Sequence, residues 1–323
     1  MTKVSGWLRT TCAAMIIAGT TTMAVAQDLK KLEIIAPSGP GGGWDQAARA
    51  SQDALEKDKL AANVQVVNIA GAGGNVGLAQ FVSAKASDPN TLMAVGFTLI
   101  SSPIVNKSPV SLKDVRPVAR LSGEYEVIIV KADSEFKTVE DLIGKFKSEP
   151  GSVTWGGSSA GGTDHVLAAL IAKEVGLKAT DVNYVAHQGS GETAAAVLGG
   201  HISVGMGGVQ EFKAQVDSGN LRFLAVASPE RLPGIDAATL KEGGVNVELA
   251  NWRGLVAPPQ ISDAEFSAHA AMIEKMVNGP RWKAIVAERD WMDLYLPSAE
   301  FTTFIAEQNE KVGAILKDLG MAD

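Results

Sequence analysis

Four glycine-rich turns, each set between a β-like run and a helical run, constrain this fold more than any other feature. They read Ser38-Gly39-Pro40-Gly41-Gly42-Gly43-Trp44-Asp45, Gly71-Ala72-Gly73-Gly74-Asn75, Gly156-Gly157-Ser158-Ser159-Ala160-Gly161-Gly162-Thr163-Asp164 and Gln188-Gly189-Ser190-Gly191-Glu192. A repeated strand, turn and helix predicts parallel sheets covered by helices, with ligands beyond the carboxyl ends of the strands. A glycine turn that opens a helix leaves backbone N–H groups unpaired at the positive end of the helix dipole, ready for an anion. None of the four turns holds a Lys or Arg, so amides and hydroxyls must do most of the holding.

The chain opens like a secretory signal. Lys3 and Arg9 form a basic start, Ala13 to Val25 a modestly apolar stretch, and Ala24-Val25-Ala26 a small-residue cleavage site before Gln27. Residues 1–26 are therefore expected to be removed on export to the periplasm. The stretch is too short and too rich in Thr and Ala to span a bilayer. The single cysteine, Cys12, lies inside it, which leaves the mature chain without a disulfide, a reactive thiol or a Cys metal ligand. The formal charge of −7 becomes more negative once Lys3 and Arg9 are gone, which argues against nucleic acid and anionic membranes as partners. An anionic ligand then gains nothing from the long-range field, and its recognition must act within a Debye length of about 8 Å.

Two α/β lobes follow from the order of elements, the second inserted into the first. Residues 27–122 and 255–323 form lobe 1, and residues 123–254 form lobe 2. Leu32-Glu33-Ile34-Ile35-Ala36 reads as a buried strand, Trp44 to Lys57 as a helix, Val64 to Ile69 as a strand and Leu92 to Phe97 as another. The chain changes lobe near Ser122 and returns near Leu255-Val256-Ala257. Asp164 to Val175 carries an apolar stripe and ends at Gly176. The tail from Ala264 to Leu319 reads as helical, interrupted at Leu294-Tyr295-Leu296-Pro297. No floppy linker separates the lobes, so two short crossing strands are expected to act as a hinge.

Several residues stand out chemically. Ser38 offers a hydroxyl, Trp44 a flat apolar wall, and Asp45 a helix-start carboxylate paired with Arg49 four residues on. Gly71 to Gly77 lacks the acidic residue that a dinucleotide site needs on its next strand, and no Gly-Lys-Ser/Thr loop exists. Gly157-Ser158-Ser159-Ala160-Gly161 matches the Gly-x-Ser-x-Gly nucleophile elbow, so a secreted serine hydrolase using Ser159 is the alternative reading. His165, His187, His201 and His269 lack metal-ligand spacing, and no metal or cofactor is expected. His187 is a candidate pocket-edge donor, and Arg253 is the one cation that sequence places near the cleft.

The same stretches resemble the extracytoplasmic solute receptors of tripartite tricarboxylate transporters, the family that includes the Bug receptors. The matching residues run from Ala36 to Asp45 with Ala48-Arg49, from Asn68 to Gly77, from Gly161 to His165, from Val185 to Gly191, from Leu198 to Val204 and from Trp252 to Pro258. The resemblance implies a two-lobed periplasmic-binding-protein clamp of type II-like architecture. It also implies Ser38, Gly42, Gly43, Asn75, Ser158, Thr163 and Ser190 as ligand-facing positions, beside Trp44, Ser159, His187 and Arg253 from the reading above. Many relatives carry Thr or Ser where Trp44 stands, and a Tyr-Lys pair where this chain has Ala186-His187. The Trp44 form is nearest to the citrate-type branch. A small organic carboxylate, either citrate-like or a dicarboxylate, is the implied ligand, and integral-membrane permease subunits are the implied partners. The receptor is expected to be a monomer; an accessory protein of a two-component sensor would share the same fold.

Overall fold

The computed structural model describes residues 1–2, 31–187 and 189–322; the expected signal peptide falls largely outside the described residues, as does Gln188 of the fourth turn. Strand β1 (Leu32–Ala36) leads through the first glycine turn into α1 (Gly43–Lys57), and β2 (Val64–Asn68) through the second into α2 (Asn75–Ala84). Strand β3 (Thr91–Gly96) and helix α3 (Thr98–Val105) complete the first unit before the long strand β4 (Arg116–Lys131). Helix α4 (Val139–Ser148) precedes β5 (Thr154–Gly157), the third turn and α5 (Thr163–Glu174). Then come β6 (Asn183–Ala186), α6 (Ser190–Leu198), β7 (Val204–Gly208), α7 (Val209–Asp217), β8 (Leu221–Val226) and the two-residue β9 (Ala238–Thr239). Strand β10 (Ala250–Ala257) returns the chain to α8 (Asp263–Asn278), α9 (Pro280–Glu288), β11 (Met292–Pro297) and α10 (Ser298–Asp318).

The lobes share β4. Its first part runs antiparallel to β10 and β11, and its last part antiparallel to β7 and β8. At about 3.3 Å per residue the strand is roughly 50 Å long, enough to run through both halves. Near Ser122, where sequence places the change of lobe, β4 continues as one strand because β10 and β11 supply partners there, with a register shift in each ladder between Arg120 and Ser122. Gly123 is needed for that crowding, since a Cβ would lie 2.7 Å from Leu294 Cδ1 and 3.2 Å from Asn251 O. The Leu294 to Pro297 interruption is likewise the end of β11, an edge strand on β4.

Strand pleating sorts the core. Leu32, Ile34, Leu92 and Ala94 pack towards Ile273, Met276 and Trp282, whereas Ile35, Met93 and Val95 pack towards Leu78, Phe81 and Leu99. On β4, Ile128 and Val130 join one cluster while Val127 and Ile129 join another around Phe212. Both sheet faces are thus covered, which explains the continuous apolar runs seen in the sequence. Helix α10 is tied to the returning strand by Trp252, which meets Phe301 and Phe304 edge-on, each at 5.5 Å. Trp252→Ala is expected to cost about 3–5 kcal/mol, as large buried aromatics do. Chemical denaturation monitored by far-UV circular dichroism checks this.

Candidate functional site

The glycine turns meet across one cavity of about 320 Å³ between the two halves. The first turn is built on Asp45, which is buried and whose Oδ2 accepts the Gly41 N–H at 2.8 Å and Arg49 Nε at 2.9 Å. Asn68 Nδ2 donates to Asp45 Oδ1 at 2.8 Å and to Ser38 O at 3.0 Å, tying the end of β2 to the same turn. Burial alone would raise the Asp45 carboxyl, but hydrogen bonds from Arg49, Gly41 and Asn68 hold it below its ordinary value. The helix-start role and the Asp45–Arg49 pair expected from sequence are both present. In the second turn Gly73 and Gly74 take left-handed backbone angles, φ 61° and 91°. Gly74 also lies against Trp44, whose Cη2 would be 2.9 Å from an added Cβ.

The third turn is organised by Asp164, buried at the start of α5. Its Oδ2 accepts Ser158 N at 2.5 Å and Ser158 Oγ at 2.7 Å, while Tyr184 donates its hydroxyl to Ser158 O at 2.9 Å. His165 accepts the Gly161 N–H through Nδ1 and stacks on Tyr184 at 4.2 Å. Burial lowers its pKa to about 4, so the ring is neutral and free to accept that bond.

Of the residues singled out by sequence, Ser38, Gly43, Trp44, Ser158, Ser159, Thr163, Ser190 and Arg253 all line this cavity. The Ser38 hydroxyl is buried and has no hydrogen-bond partner among the described residues. Three others lie just outside the lining. Gly42 leaves room for the Ser38 hydroxyl, which would be 3.0 Å from a Cβ there. Asn75 is buried beneath the second turn, donating to Ala72 O at 2.8 Å and to Ser102 Oγ. His187 donates its backbone N–H to Gly157 O at 2.9 Å, with its ring against Gly156.

Arg253 is the base of this cavity. Its Nη1 donates to Asn251 Oδ1 and to Trp252 O, and its Nη2 is 3.7 Å from Glu124 Oε1. The guanidinium lies so close to the start of α1 that a Cβ at Gly43 would be 2.3 Å from Nη2. A cation at the positive end of a helix concentrates the attraction for an anion at that point.

The second turn lines the cavity from Gly71 to Gly74, whereas sequence reasoning missed Thr98, Asp164, Met206, Glu211 and Asn251 as lining residues. Asp164 stood in the sequence as a helix start, and Glu211 gave no signal because α7 is hidden behind Gly207-Gly208. Together with Glu124 and Glu126 they form a carboxyl cluster. Burial raises the Glu126 carboxyl well above its ordinary value, and the like charges of Asp164, Glu211 and Glu124 add to the rise. Burial also raises Asp164 and Glu124, opposed at Asp164 by the Ser158 bonds and at Glu124 by Arg253. Glu211 is exposed to cleft water, yet partial desolvation and then the Glu124 and Asp164 charges push it up to about 8. Among the described residues no group of three or more His, Cys, Asp and Glu is placed to hold a metal ion.

A family model described as tripartite tricarboxylate transporter family receptor matches residues 47–321. The chain belongs to that family. A relative from Cupriavidus necator, the UPF0065 protein in the gbd 5′ region, is 30% identical over 286 residues, 87% of this chain and 85% of its own. A TctC solute binding protein from Polaromonas, solved with no ligand, is 26% identical with a TM-score of 0.70, covering 90% of this chain and 99% of that one. A Rhodopseudomonas palustris protein solved with adipate shares the fold at a TM-score of 0.80 and 18% identity, covering 91% and 98%. The receptor therefore has the two-lobed solute-binding fold, with the cavity between its halves.

The raised Glu126 carboxyl has a consequence for stability. The folded protein keeps this proton to higher pH than the unfolded chain, so the group costs stability as pH rises above about 4.5. Glu126→Gln removes that cost. As pH rises above about 4.5 the wild type should lose stability relative to the variant, until the buried carboxyl itself ionises. Urea midpoints measured across that range give the difference curve.

Proposed function

We propose that this receptor captures a small organic carboxylate in the periplasm and delivers it to the membrane permease of a tripartite tricarboxylate transporter. The convergence of Arg253 and the glycine turns of both halves on one cavity carries the reading. Backbone N–H groups, the Ser38, Ser158 and Ser190 hydroxyls and the guanidinium replace the water around a carboxylate. Charge-assisted hydrogen bonds contribute about 1.5–3 kcal/mol each, so a few suffice for micromolar binding. The family and the adipate-bound structural neighbour support the ligand class, and the signal-like leader supports the compartment. We place the lobe boundaries at residues 122/123 and 254/255, on the adjacent strands β4 and β10, where rotation would open the cavity.

The protein is read as a binder and not an enzyme. Among the described residues no hydrogen bond joins the Ser159 hydroxyl to a histidine: His165 is taken up by Gly161, and His269 by Pro89 O at 2.8 Å. An elbow serine needs such a base within hydrogen-bond reach.

Thermal melts of ligand-free mature protein against mono-, di- and tricarboxylates, with sugars as controls, test this. A selective rise for one acid class is expected, because ligand binding adds RT ln(1 + [L]/Kd) to stability. Arg253→Gln should weaken that acid by roughly tenfold or more, the loss of one charge-assisted bond. No shift with any acid, together with fluorophosphonate labelling of Ser159, would replace the receptor reading with the hydrolase.

A further inference from the structure

Asp45 and Asp164 hold equivalent places in the two halves, each opening the helix after a glycine turn and accepting a backbone N–H of that turn. In the first half two fixed donors compensate the carboxylate: Arg49, one turn along α1, and Asn68 at the end of β2. The matching positions of the second half are Ala168, one turn along α5, and Ala186 at the end of β6, which offer neither a cation nor a donor. Asp164 still serves the third turn as an acceptor twice over, from Ser158 N and from Ser158 Oγ. Two such bonds favour the ionised form of a buried carboxyl, so its charge needs another partner.

Behind it lies Glu126 of β4, fully buried, with neither carboxyl oxygen meeting a donor among the described residues. Its side chain is within hydrogen-bonding reach of the Asp164 carboxyl. Two acids in contact in a buried site do not both ionise, so one proton lies between them. The groups packed around the pair supply no donor to Glu126. Tyr184 of β6 gives its hydroxyl to Ser158 O, and His165 of α5 accepts the Gly161 N–H. Glu211 of α7 accepts the Gly208 N–H at 3.0 Å, Glu124 of β4 faces Arg253 of β10 at 3.7 Å, and the His187 ring rests on Gly156 of β5.

We propose that Glu126 is a positioning residue for ligand capture, acting through Asp164: a proton shared by the two carboxyls does in the second half what Arg49 and Asn68 do in the first. This rests on the carboxylate-receptor reading above. With the proton in place the third turn keeps its Ser158 bonds without setting a second full charge beside the incoming anion. The Asp45 turn is compensated by a guanidinium, which stays charged, so its grip is indifferent to pH. The Asp164 turn is compensated by a proton, which leaves as pH rises. An anion entering the cavity favours the protonated pair, so binding takes up protons, and affinity falls as pH rises through the range in which the free pair titrates. Glu211, pushed up to about 8, titrates beside the pair and adds its own share.

Titration calorimetry on ligand-stripped mature protein tests this with succinate, adipate, citrate and L-glutamate. The runs span about pH 6.5 to about pH 8.5, above the usual carboxylate range, in buffers of different ionisation enthalpy. The acids that bind should take up protons and should weaken by at least about threefold over that interval, with a ceiling of about tenfold per pH unit for each proton. Glu126→Gln keeps a donor towards Asp164 at every pH. It should bind within about twofold of wild type at the acid end, at least about threefold tighter than wild type at the alkaline end, and take up fewer protons. A merely structural role of Glu126 would instead change affinity alike at every pH. Glu211→Gln should leave the Glu126 share of the uptake in place. If Glu126→Gln fails to fold, infrared difference spectra of the wild type decide: binding should add intensity in the C=O stretch of protonated carboxyls, and no added band overturns the proposal. It is also overturned if protons are released or not exchanged, if the uptake persists in Glu126→Gln and vanishes in Glu211→Gln, or if Glu126→Gln follows the wild-type pH profile. The carboxylate reading survives all of these. Heat from none of the acids would remove that reading and this one with it.

Discussion

The backbone ladder along β4 is the constraint on which the site depends. It sets β10 in a register where Asn251 lies opposite Glu124 and Arg253 opposite Ser122. Side chains alternate across a strand, so a one-residue slip would turn Arg253 away from the cavity and Trp252 out of the aromatic pocket formed by Phe301 and Phe304. The same strand then carries Glu126 into the second sheet, against Gly208 of β7. One length of chain therefore fixes the base of the cavity, its facing acid and the buried carboxyl behind it.

The local charge pattern follows from that arrangement. Lobe 1 presents two glycine turns and a helix N-terminus, and the Arg253 guanidinium of β10 is pressed against that helix end, so that together they make an anion-seeking wall. Lobe 2 presents its own N–H groups, but backs them with Asp164, Glu126 and Glu211. Asp45 and Asp164 both serve their turns as hydrogen-bond acceptors. Arg49 and Asn68 compensate only the first, while the carboxyls grouped at the second hold their protons to higher pH than usual. The two walls of one clamp are thus chemically unequal although their topology is alike.

The parallel α/β plan could be read from the sequence because glycine turns and doubly buried strands leave local signatures: β1 falls on Leu32–Ala36 as expected, and α1 starts one residue before Trp44. What could not be read depends on partners far along the chain. The sequence places a change of lobe near Ser122, and the continuity of β4 through it rests on pairing with β10 and β11. Helix α3 carries Pro103, and α7 begins directly after Gly207-Gly208, so both lack a clean helical start or interior in the sequence. At the site, glycine and serine positions were legible because their backbone freedom and hydroxyls are local properties. Glu211 and Asp164 meet only through tertiary packing, and no spacing between them announces a cluster.

The halves are joined by the shared strand β4 and by an apolar cluster that runs through both, and two polar links lie at the surface. Gln210 of α7 donates to Asp290, beyond α9, at 2.9 Å, and Lys173 of α5 pairs with Asp318 of α10. All four side chains are on the surface, and exposed contacts of this kind are worth about 0–1 kcal/mol. A carboxylate bridging the turns of both halves forms several charge-assisted bonds at about 1.5–3 kcal/mol each, all of which require the cavity to be shut. Such bonds are individually stronger than either surface link. On the proposed reading backbone amides would hold the carboxylate, and the cavity-lining side chains Trp44, Asn251 and Glu211 are then the positions at which selectivity between carboxylates would be set.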